Sequence, residues 1–448
     1  MRRILNLETT KYLGEKVRVC GWVDSLRHHG GIVFLDLRDR SGILQIVCTP
    51  DLVKDTKEEC VVEIEGTVQE RPIKMVNPEI ETGKIELKAE KINILAKAAI
   101  LPFDLKNLKL SLPKLLDYRP LVLRNPKIKA IFKIQEQVVE SFRKTLKDLD
   151  FSEFQAPTIV ASATEGGAEL FLIKYYEYNA YLAQSPQLYK QILVGVFERV
   201  FTVTRAYRAE PSITTRHISE YISLDAEMGF INSWEDLMDT CEIAIKNILF
   251  DIQKNCQKEL KMFDAAIPEM SERVPRLKMR EAQKIIFERT GRDNRKEPDL
   301  QPEDEKEICQ FAKDKYNSEF IFITHYPTKK RPFYTFPDPK DPEYTLSFDL
   351  LCRGLEIVTG GQRIHEYEEL LKNIKNFGLQ PKAFQFYLQT FKYGLPPEGG
   401  FCMGGERIVK QLLNLENVRE ASLFPRDMER IDQRLSLLQK KKKEKKKK

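Results

Sequence analysis

The 448-residue chain has no run approaching the roughly 18 consecutive apolar residues that a membrane-spanning helix requires. Its start, Met1-Arg2-Arg3-Ile4-Leu5-Asn6-Leu7-Glu8, turns acidic too early for a secretory leader. A soluble, cytoplasmic protein without membrane association is therefore expected. The eight cysteines (20, 48, 60, 241, 256, 309, 352 and 402) include no C-x-x-C pair, and none of the five histidines stands near one. That pattern argues against a structural zinc site or a disulfide framework and for single buried thiols. The Walker phosphate-binding pattern is also missing, since Gly83-Lys84 is followed by Ile85 rather than Ser or Thr. Any phosphate binding must then come from arginines.

The chain has little charge excess outside one segment. Residues 440–448 hold eight lysines and one glutamate, so this tail carries +7 of a net +6 and leaves −1 for everything else. The tail reads as a solvated, disordered end that adds weak, non-specific attraction for RNA.

What is present is enough for a large core, with 42% hydrophobic residues and 25 phenylalanines, and a length that suits two or three domains. In residues 16–95, Val17, Val19, Gly21 and Val23 alternate with polar neighbours, as do Val33/Leu35/Leu37, Leu44/Ile46, Val62/Ile64 and Ile85/Leu87. Five short strands punctuated by glycine turns suit an OB-type barrel over residues 1–98. A connector at 99–128 carries Pro102, Pro113, Pro120 and Pro126. From 129 to 435 the pattern is that of a larger α+β domain, with a polar insertion at about 256–345; the tail occupies 436–448. Ile131, Ile134, Val138, Phe142, Leu146 and Leu149 recur every three or four residues and mark a helix, and a second helix is expected at about 235–255.

Four segments carry chemistry. Ser185-Pro186-Gln187-Leu188-Tyr189-Lys190 has the form of a helix start, with Ser as N-cap and Pro at the first helical position. The spacing of three puts Gln187 and Lys190 on one face, which taken alone is more often solvated. In Val200–Glu210, strand alternation points Arg208 and Glu210 to one side, and after the loop Pro211–Arg216 a second strand sets Tyr221, Ser223, Asp225 and Glu227 opposite Ile222, Leu224, Ala226 and Met228. This hairpin gathers Arg208, Glu210, Arg216, His217, Asp225 and Glu227; the plainer reading is a set of cross-strand ion pairs. Ser347–Arg363 contains Asp349 and Glu356, carboxylates suited to a hard cation such as magnesium with phosphate oxygens. Pro396–Arg407 is glycine-rich, which lets backbone approach a ligand closely, and Arg407 opens an apolar helical pattern (Ile408, Leu412, Leu413).

Together these segments resemble the three motifs of class II aminoacyl-tRNA synthetases: the first helix with Pro157, then Tyr207-Arg208-Ala209-Glu210 with its loop to His217, then Gly404-Gly405-Glu406-Arg407. The strings Ala163-Thr164-Glu165-Gly166-Gly167, Gln184–Lys190, Thr214-Thr215-Arg216-His217, Gly360-Gly361-Gln362-Arg363 and Phe424-Pro425-Arg426-Asp427 narrow the resemblance to the aspartyl-tRNA synthetases, above all the archaeal type. It runs in order from about residue 15 to residue 432.

The resemblance implies ATP-dependent ligation of L-aspartate to tRNA through an aspartyl-adenylate, with magnesium, by a homodimer built partly through the first motif. It implies a barrel that reads the anticodon, with Phe34 stacked on a base and Gln45 hydrogen-bonded to one. His29 lies in the same region, where members that also charge asparagine tRNA tend to carry histidine. Without the resemblance, Phe34 reads as a strand residue of the barrel core. Arg208 would hold the α-phosphate of ATP and Arg407 the γ-phosphate; Ala209, Glu210, Arg216, His217, Ile218, Glu356, Gly404, Gly405 and Glu406 would complete the ATP site. Glu356, Thr359 and Asp349 would serve magnesium. Glu165, Gln187, Asp225 and Thr359 would surround the amino acid, and Lys190 and Arg363 would receive its side-chain carboxylate. Lys190 joins Arg208 and Arg407 as the catalytic set. No general base is needed for the first step, because the α-carboxylate is already ionised and catalysis is positioning and charge stabilisation.

The sequence departs from the family where Thr359 replaces a common serine, Cys402 a glycine and Glu398 a histidine, and where Gly405 stands in place of a side chain. Three alternatives remain at this stage. An asparaginyl-tRNA synthetase shares the scaffold, but a neutral amide needs no pair of cations. An ammonia-dependent asparagine synthetase would not need the barrel. A non-catalytic tRNA-binding paralogue would be expected to lose Arg208, Glu356 or Arg407. Whether asparagine tRNA is charged as well as aspartate tRNA stays open.

Overall fold

The computed structural model of the chain describes residues 1–161, 170–211 and 213–438. It divides into two compact units, Met1–Lys109 and Leu110–Lys448. The second half of the proline-bearing connector thus belongs to the larger unit, where buried Arg119 donates to the Leu423 and Ser422 carbonyls at 2.8 and 2.5 Å.

The first unit is a closed barrel of strands β1 (Lys16–His29), β2 (Ile32–Arg38), β3 (Ile43–Cys48), β4 (Val61–Glu70) and β5 (Ile85–Ala96). They are ordered β1-β2-β3-β5-β4, and β4 pairs back onto β1 to close the ring. The expected alternation holds: Val17, Val19, Val23, Val33, Leu35, Leu37, Leu44, Ile46, Val62, Ile64, Ile85 and Leu87 all point into one core. Gly21 is required there, since a Cβ would sit 2.3 Å from the Arg38 carbonyl oxygen on the neighbouring strand. Closure removes the exposed edges that a free sheet would present.

In the second unit, helix α1 (Pro126–Asp148) begins at Asn125, whose side chain accepts from the Lys127 and Ile128 N–H groups, with Pro126 in the first turn. Its apolar stripe, Ile131, Ile134, Val138, Phe142 and Leu146, is buried. The remaining elements used below are β6 (Ser152–Glu153), α2 (Gln187–Phe197), β7 (Arg199–Tyr207), β8 (Glu220–Gly229), α3 (Glu235–Asn255), β9 (Arg276–Lys278), α4 (Met279–Thr290), α5 (Pro302–Tyr316), β10 (Phe320–Thr324), β11 (Ser347–Cys352), β12 (Leu355–Gln362), β13 (Glu398–Gly404), α6 (Gln385–Lys392) and α7 (Gly405–Leu412). The strands form one sheet in the order β9-β10-β11-β12-β13-β8-β7-β6, antiparallel except for the pairs β9–β10 and β6–β7 at its two edges. The polar segment at 256–345 supplies β9 and β10 of this sheet and the helices α4 and α5.

One face of the sheet packs on α1, α3 and α7 through Leu224, Ala226, Met228, Phe348, Leu350, Val358, Phe401 and Met403. The other carries the polar residues of the same strands. Period-two alternation therefore converts a single sheet into a core on one side and a site on the other. Among the described residues no helix is long and apolar enough to cross a membrane.

Candidate active site

Helix α2 starts at Gln187, one residue later than the sequence suggests, and the Ser185 hydroxyl accepts from the Gln187 N–H at 3.4 Å. The face carrying Gln187 and Lys190 is turned inward, not to solvent: Lys190 is 1% exposed. Its ammonium lies 3.0 Å from Asp225 Oδ1 and 2.9 Å from Glu227 Oε2, and it also reaches the Ala226 and Phe401 carbonyls. Arg363, just past β12, donates from Nε to Glu227 Oε1 at 2.8 Å and from Nη2 to Gln187 Oε1 and the Gly400 carbonyl. Gln187 donates to the same Glu227 oxygen at 3.2 Å.

Asp225 and Glu227 thus do not form cross-strand pairs within the β7–β8 hairpin. Asp225 and Glu227 reach out of the hairpin to α2 and to Arg363, so the plainer reading fails at these two positions. Burial alone would discharge Lys190, but Glu227 and Asp225 outweigh it and hold the ammonium above its ordinary value. Burial likewise opposes the charge on Glu227, and Arg363 and Lys190 overcome it, holding the carboxyl down at about 2.

Gln187, Lys190, Asp225 and Arg363 line a cavity of about 490 Å³ that also takes in Arg208, Tyr221, Arg331, Ser347, Glu356, Thr359 and Gly360. A recess of about 70 Å³ adjoins it, sharing Arg208, Tyr221, Glu356, Thr359 and Cys402. The recess is lined further by Glu210, Arg216, His217, Ile218, Gly404, Glu406 and Arg407, so the residues expected to meet ATP are brought together. Ala209 and Gly405 stand outside this lining; a Cβ on Gly405 would lie 3.1 Å from the Ile222 Cβ, because the start of α7 packs on β8.

Arg407 Nη1 lies 3.3 Å from Glu356 Oε2 and donates to the Glu356 carbonyl at 3.0 Å. The Arg208 guanidinium lies over the Tyr221 ring at 5.7 Å. Arg216 donates to Glu305 of α5 at 2.5 Å and to the Gly354 carbonyl at 2.6 Å. His217 is held down to about 4 by burial and by the Arg407 and Arg208 cations, so it is a neutral imidazole at physiological pH. The Glu406 carboxyl accepts from the Ile222 N–H at 2.9 Å, with burial raising it to about 7.

Of the three residues expected at a cation, Asp349 on β11 faces Thr359 on β12, while Glu356 of β12 pairs with Leu351. Arg331, which sequence reasoning did not single out, enters between Asp349 and Thr359. Its Nη2 lies 2.8 Å from Asp349 Oδ1, its Nη1 donates to the Thr359 hydroxyl at 3.1 Å, and its guanidinium stacks 4.0 Å above the Tyr326 ring. Among the described residues no three His, Cys, Asp or Glu side chains converge as a metal cluster. Of the three expected at a cation, Glu356, with its side chain one-third exposed, and Thr359 line the recess, and Asp349 does not. Glu165 lies outside the described residues.

Gly399 and Gly400 of β13 serve the protein's own packing. A Cβ on Gly400 would fall 2.1 Å from both Glu227 Oε2 and the Ala226 carbonyl oxygen. The close approach inferred for a ligand is thus made, at this position, by the Glu227 carboxylate.

On the barrel, Phe34 is half-buried on the outer face, between core residues Val33 and Leu35, which rules out a core position. Its ring meets exposed His29 edge-on at 5.7 Å. Gln45 sits on the same outer face, opposite Asp36 and diagonal to Phe34, and donates its amide to Glu86 at 3.0 Å.

Comparisons with known proteins agree with this geometry. Residues 111–428 match the family of class II tRNA synthetases (D, K and N), and residues 17–95 match the OB-fold nucleic acid binding domain. The chain is 41% identical to the aspartate–tRNA(Asp/Asn) ligase of Thermus thermophilus, over 96% of this chain and 99% of that protein. It is 40% identical to the aspartate–tRNA(Asp) ligase of Pyrococcus furiosus, over 94% and 97%. Among solved structures, asparaginyl-tRNA synthetase from Pyrococcus horikoshii with asparaginyl-adenylate superposes with a TM-score of 0.87 at 30% identity, covering 96% of this chain and 99% of that one.

Proposed function

Because the chain belongs to the class II tRNA synthetases of the D, K and N group, we propose that its site works as an aspartate–tRNA ligase that uses ATP to join L-aspartate to tRNA. The observation that carries the choice of amino acid is the buried pair Lys190 and Arg363 on the wall of the 490 Å³ cavity. A side-chain carboxylate there meets a planar guanidinium and a point charge; an amide would turn its own donors toward two cations.

The ammonium of aspartate is received by Gln187 and Asp225, with Glu165 assigned to the same group. Its α-carboxylate attacks the α-phosphorus of ATP and pyrophosphate leaves. Arg208 neutralises the charge that develops on the α-phosphate and Arg407 that on the γ-phosphate. Glu210, Arg216 and neutral His217, with Ala209, Ile218 and the Gly404-Gly405-Glu406 turn, frame the nucleotide.

Oxygen donors suit magnesium, and Glu356 with the Thr359 hydroxyl would hold it beside the phosphates, where it would screen their charge. Asp349, engaged by Arg331, sits behind them. In the second step the terminal ribose hydroxyl of tRNA attacks the adenylate carbonyl and AMP leaves.

The barrel reads the anticodon through Phe34 and Gln45. His29 beside Phe34 supports a reading in which asparagine tRNA is charged as well as aspartate tRNA. Homodimeric assembly and a cytoplasmic setting belong to the same proposal. Aminoacylation of purified aspartate and asparagine tRNAs with labelled aspartate and labelled asparagine tests it. Aspartate is expected on the aspartate tRNA and on the asparagine tRNA; a preference for free asparagine overturns the substrate assignment.

A further inference from the structure

One buried carboxyl beside the cation pair has no part in the scheme above. Glu398 opens β13 and is fully buried. Its Oε1 accepts from the Gln191 amide at 2.7 Å. The Tyr387 hydroxyl of α6 donates to the carbonyl end of the same amide at 3.0 Å, which fixes the amide so that its NH2 group faces Glu398. The second oxygen, Oε2, has no hydrogen-bond partner in the structure and is buried.

The charges around it are already matched. Lys190 on α2 is taken by Asp225 and Glu227 of β8, and Arg363 is taken by Glu227. Among the described residues no cation lies within 4.0 Å of Glu398. The groups facing this cluster from every element packed against it are Lys190, Asp225, Glu227, Arg363, the phenols Tyr334 and Tyr387, and the thiol of Cys402. Gln187 and Gln191, one turn apart on α2, donate to Glu227 and Glu398 respectively, which sets the two buried carboxyls side by side.

Two buried carboxyls set side by side disfavour both being ionised at once. Glu227 has two cationic partners and Glu398 has none, so the proton belongs on Glu398. Burial and the Glu227 charge act together in this direction, raising Glu398 well above the ordinary carboxylate range.

We propose that Glu398 is a specificity-determining positioning residue, whose un-ionised carboxyl donates to Glu227 and so keeps Lys190 and Arg363 aimed at the side-chain carboxylate of the amino acid. An ionised Glu398 would give this cluster three carboxylates against two cations and repel an anionic substrate. A neutral donor instead holds the Glu227 rotamer, with one oxygen toward Lys190 and the other toward Arg363, without adding charge. The backbone of Glu398 contributes separately, since its carbonyl accepts from the Arg363 N–H at 2.9 Å, and substitution of the side chain leaves that bond in place.

The inference rests on the aspartate reading of the site, and its test separates the two. Wild-type activation of aspartate, measured by pyrophosphate exchange, is the control for that reading. Glu398→Gln stays neutral and keeps a donor, so its KM for aspartate should remain within about threefold of wild type. Glu398→Ala loses the donor, so its KM for aspartate should rise about tenfold or more with KM for ATP unchanged. Infrared spectroscopy of the wild-type protein at about pH 8.5 should show a protonated carboxyl band that is missing from Glu398→Gln. That pH lies above the values of about 7 to which burial raises Glu305 and Glu406 and the value of about 6 for Asp349. A wild-type protein without this band, or a Glu398→Gln variant that binds aspartate tenfold tighter, would mean the carboxyl is ionised and overturns the proposal. Equal aspartate KM values for the Ala and Gln variants would remove the positioning role. The wild-type band decides the protonation state even where a variant fails to fold.

Discussion

Arg363 and Glu227 are joined at 2.8 Å from Nε to Oε1 across 136 residues of sequence, and both are buried. The same carboxylate takes Lys190 on its other oxygen at 2.9 Å. One anion thereby fixes two cations on the cavity wall, and the exclusion of water raises the worth of each contact and the cost of leaving any member unpaired.

Arg363→Leu should therefore lower aspartate activation at least a hundredfold, because it removes the bidentate partner of the substrate and leaves Glu227 under-compensated, a loss of about 3–5 kcal/mol. Lys190→Met should narrow the preference for aspartate over asparagine. Pyrophosphate exchange with each amino acid, on variants whose melting curves report a folded protein, measures both. Full aspartate activity in Arg363→Leu would refute the assignment of the pair.

The phosphate side of the site is tested by Arg208→Ala and Arg407→Ala. Each should cut aspartate-dependent pyrophosphate exchange roughly a hundred- to a thousandfold, the usual loss when one pre-aimed donor is removed from developing charge. Near-normal exchange in either variant would break the link between the recess and ATP.

Gly400→Ala asks whether the glycine-rich strand serves the nucleotide or Glu227. A Cβ there would lie 2.1 Å from Glu227 Oε2, so the carboxylate must move. Such overpacking costs about 1–3 kcal/mol, and KM for aspartate should rise while KM for ATP stays within about twofold. The opposite pattern would assign the close approach to the nucleotide.

Phe34→Ala should weaken tRNA charging roughly five- to a hundredfold, as expected for one lost base stack worth about 1–3 kcal/mol. Amino-acid activation should be unchanged, since the residue belongs to the barrel. Unaltered kinetics with tRNA, in a variant shown to be folded, would leave Phe34 as part of the outer surface only.

The sequence alone determined the elements whose signal is local. Period-two alternation placed the barrel strands and the β7–β8 hairpin, a three-to-four spacing placed α1, and the ordered motifs gathered the arginines, the histidine and the acids that line the recess. The elements follow from side-chain direction along a single strand or helix, which each segment carries in itself, while the gathering of the recess residues came from the resemblance of the ordered motifs to a known family. Only the tertiary structure decided what the charges pair with. Glu227 faces Arg363 because β13 lies between β8 and β12 in the sheet, and Arg331 meets Asp349 through a turn that no spacing announced. Glu398 read as a mere departure at one position until burial put it beside Glu227 with no cation of its own. Pairing between strands decided which residues stand beside Phe34 on the outer face, setting Gln45 diagonal to it. Which ionised groups share a proton, and which are left to meet a ligand, depends on distances between segments far apart in the chain.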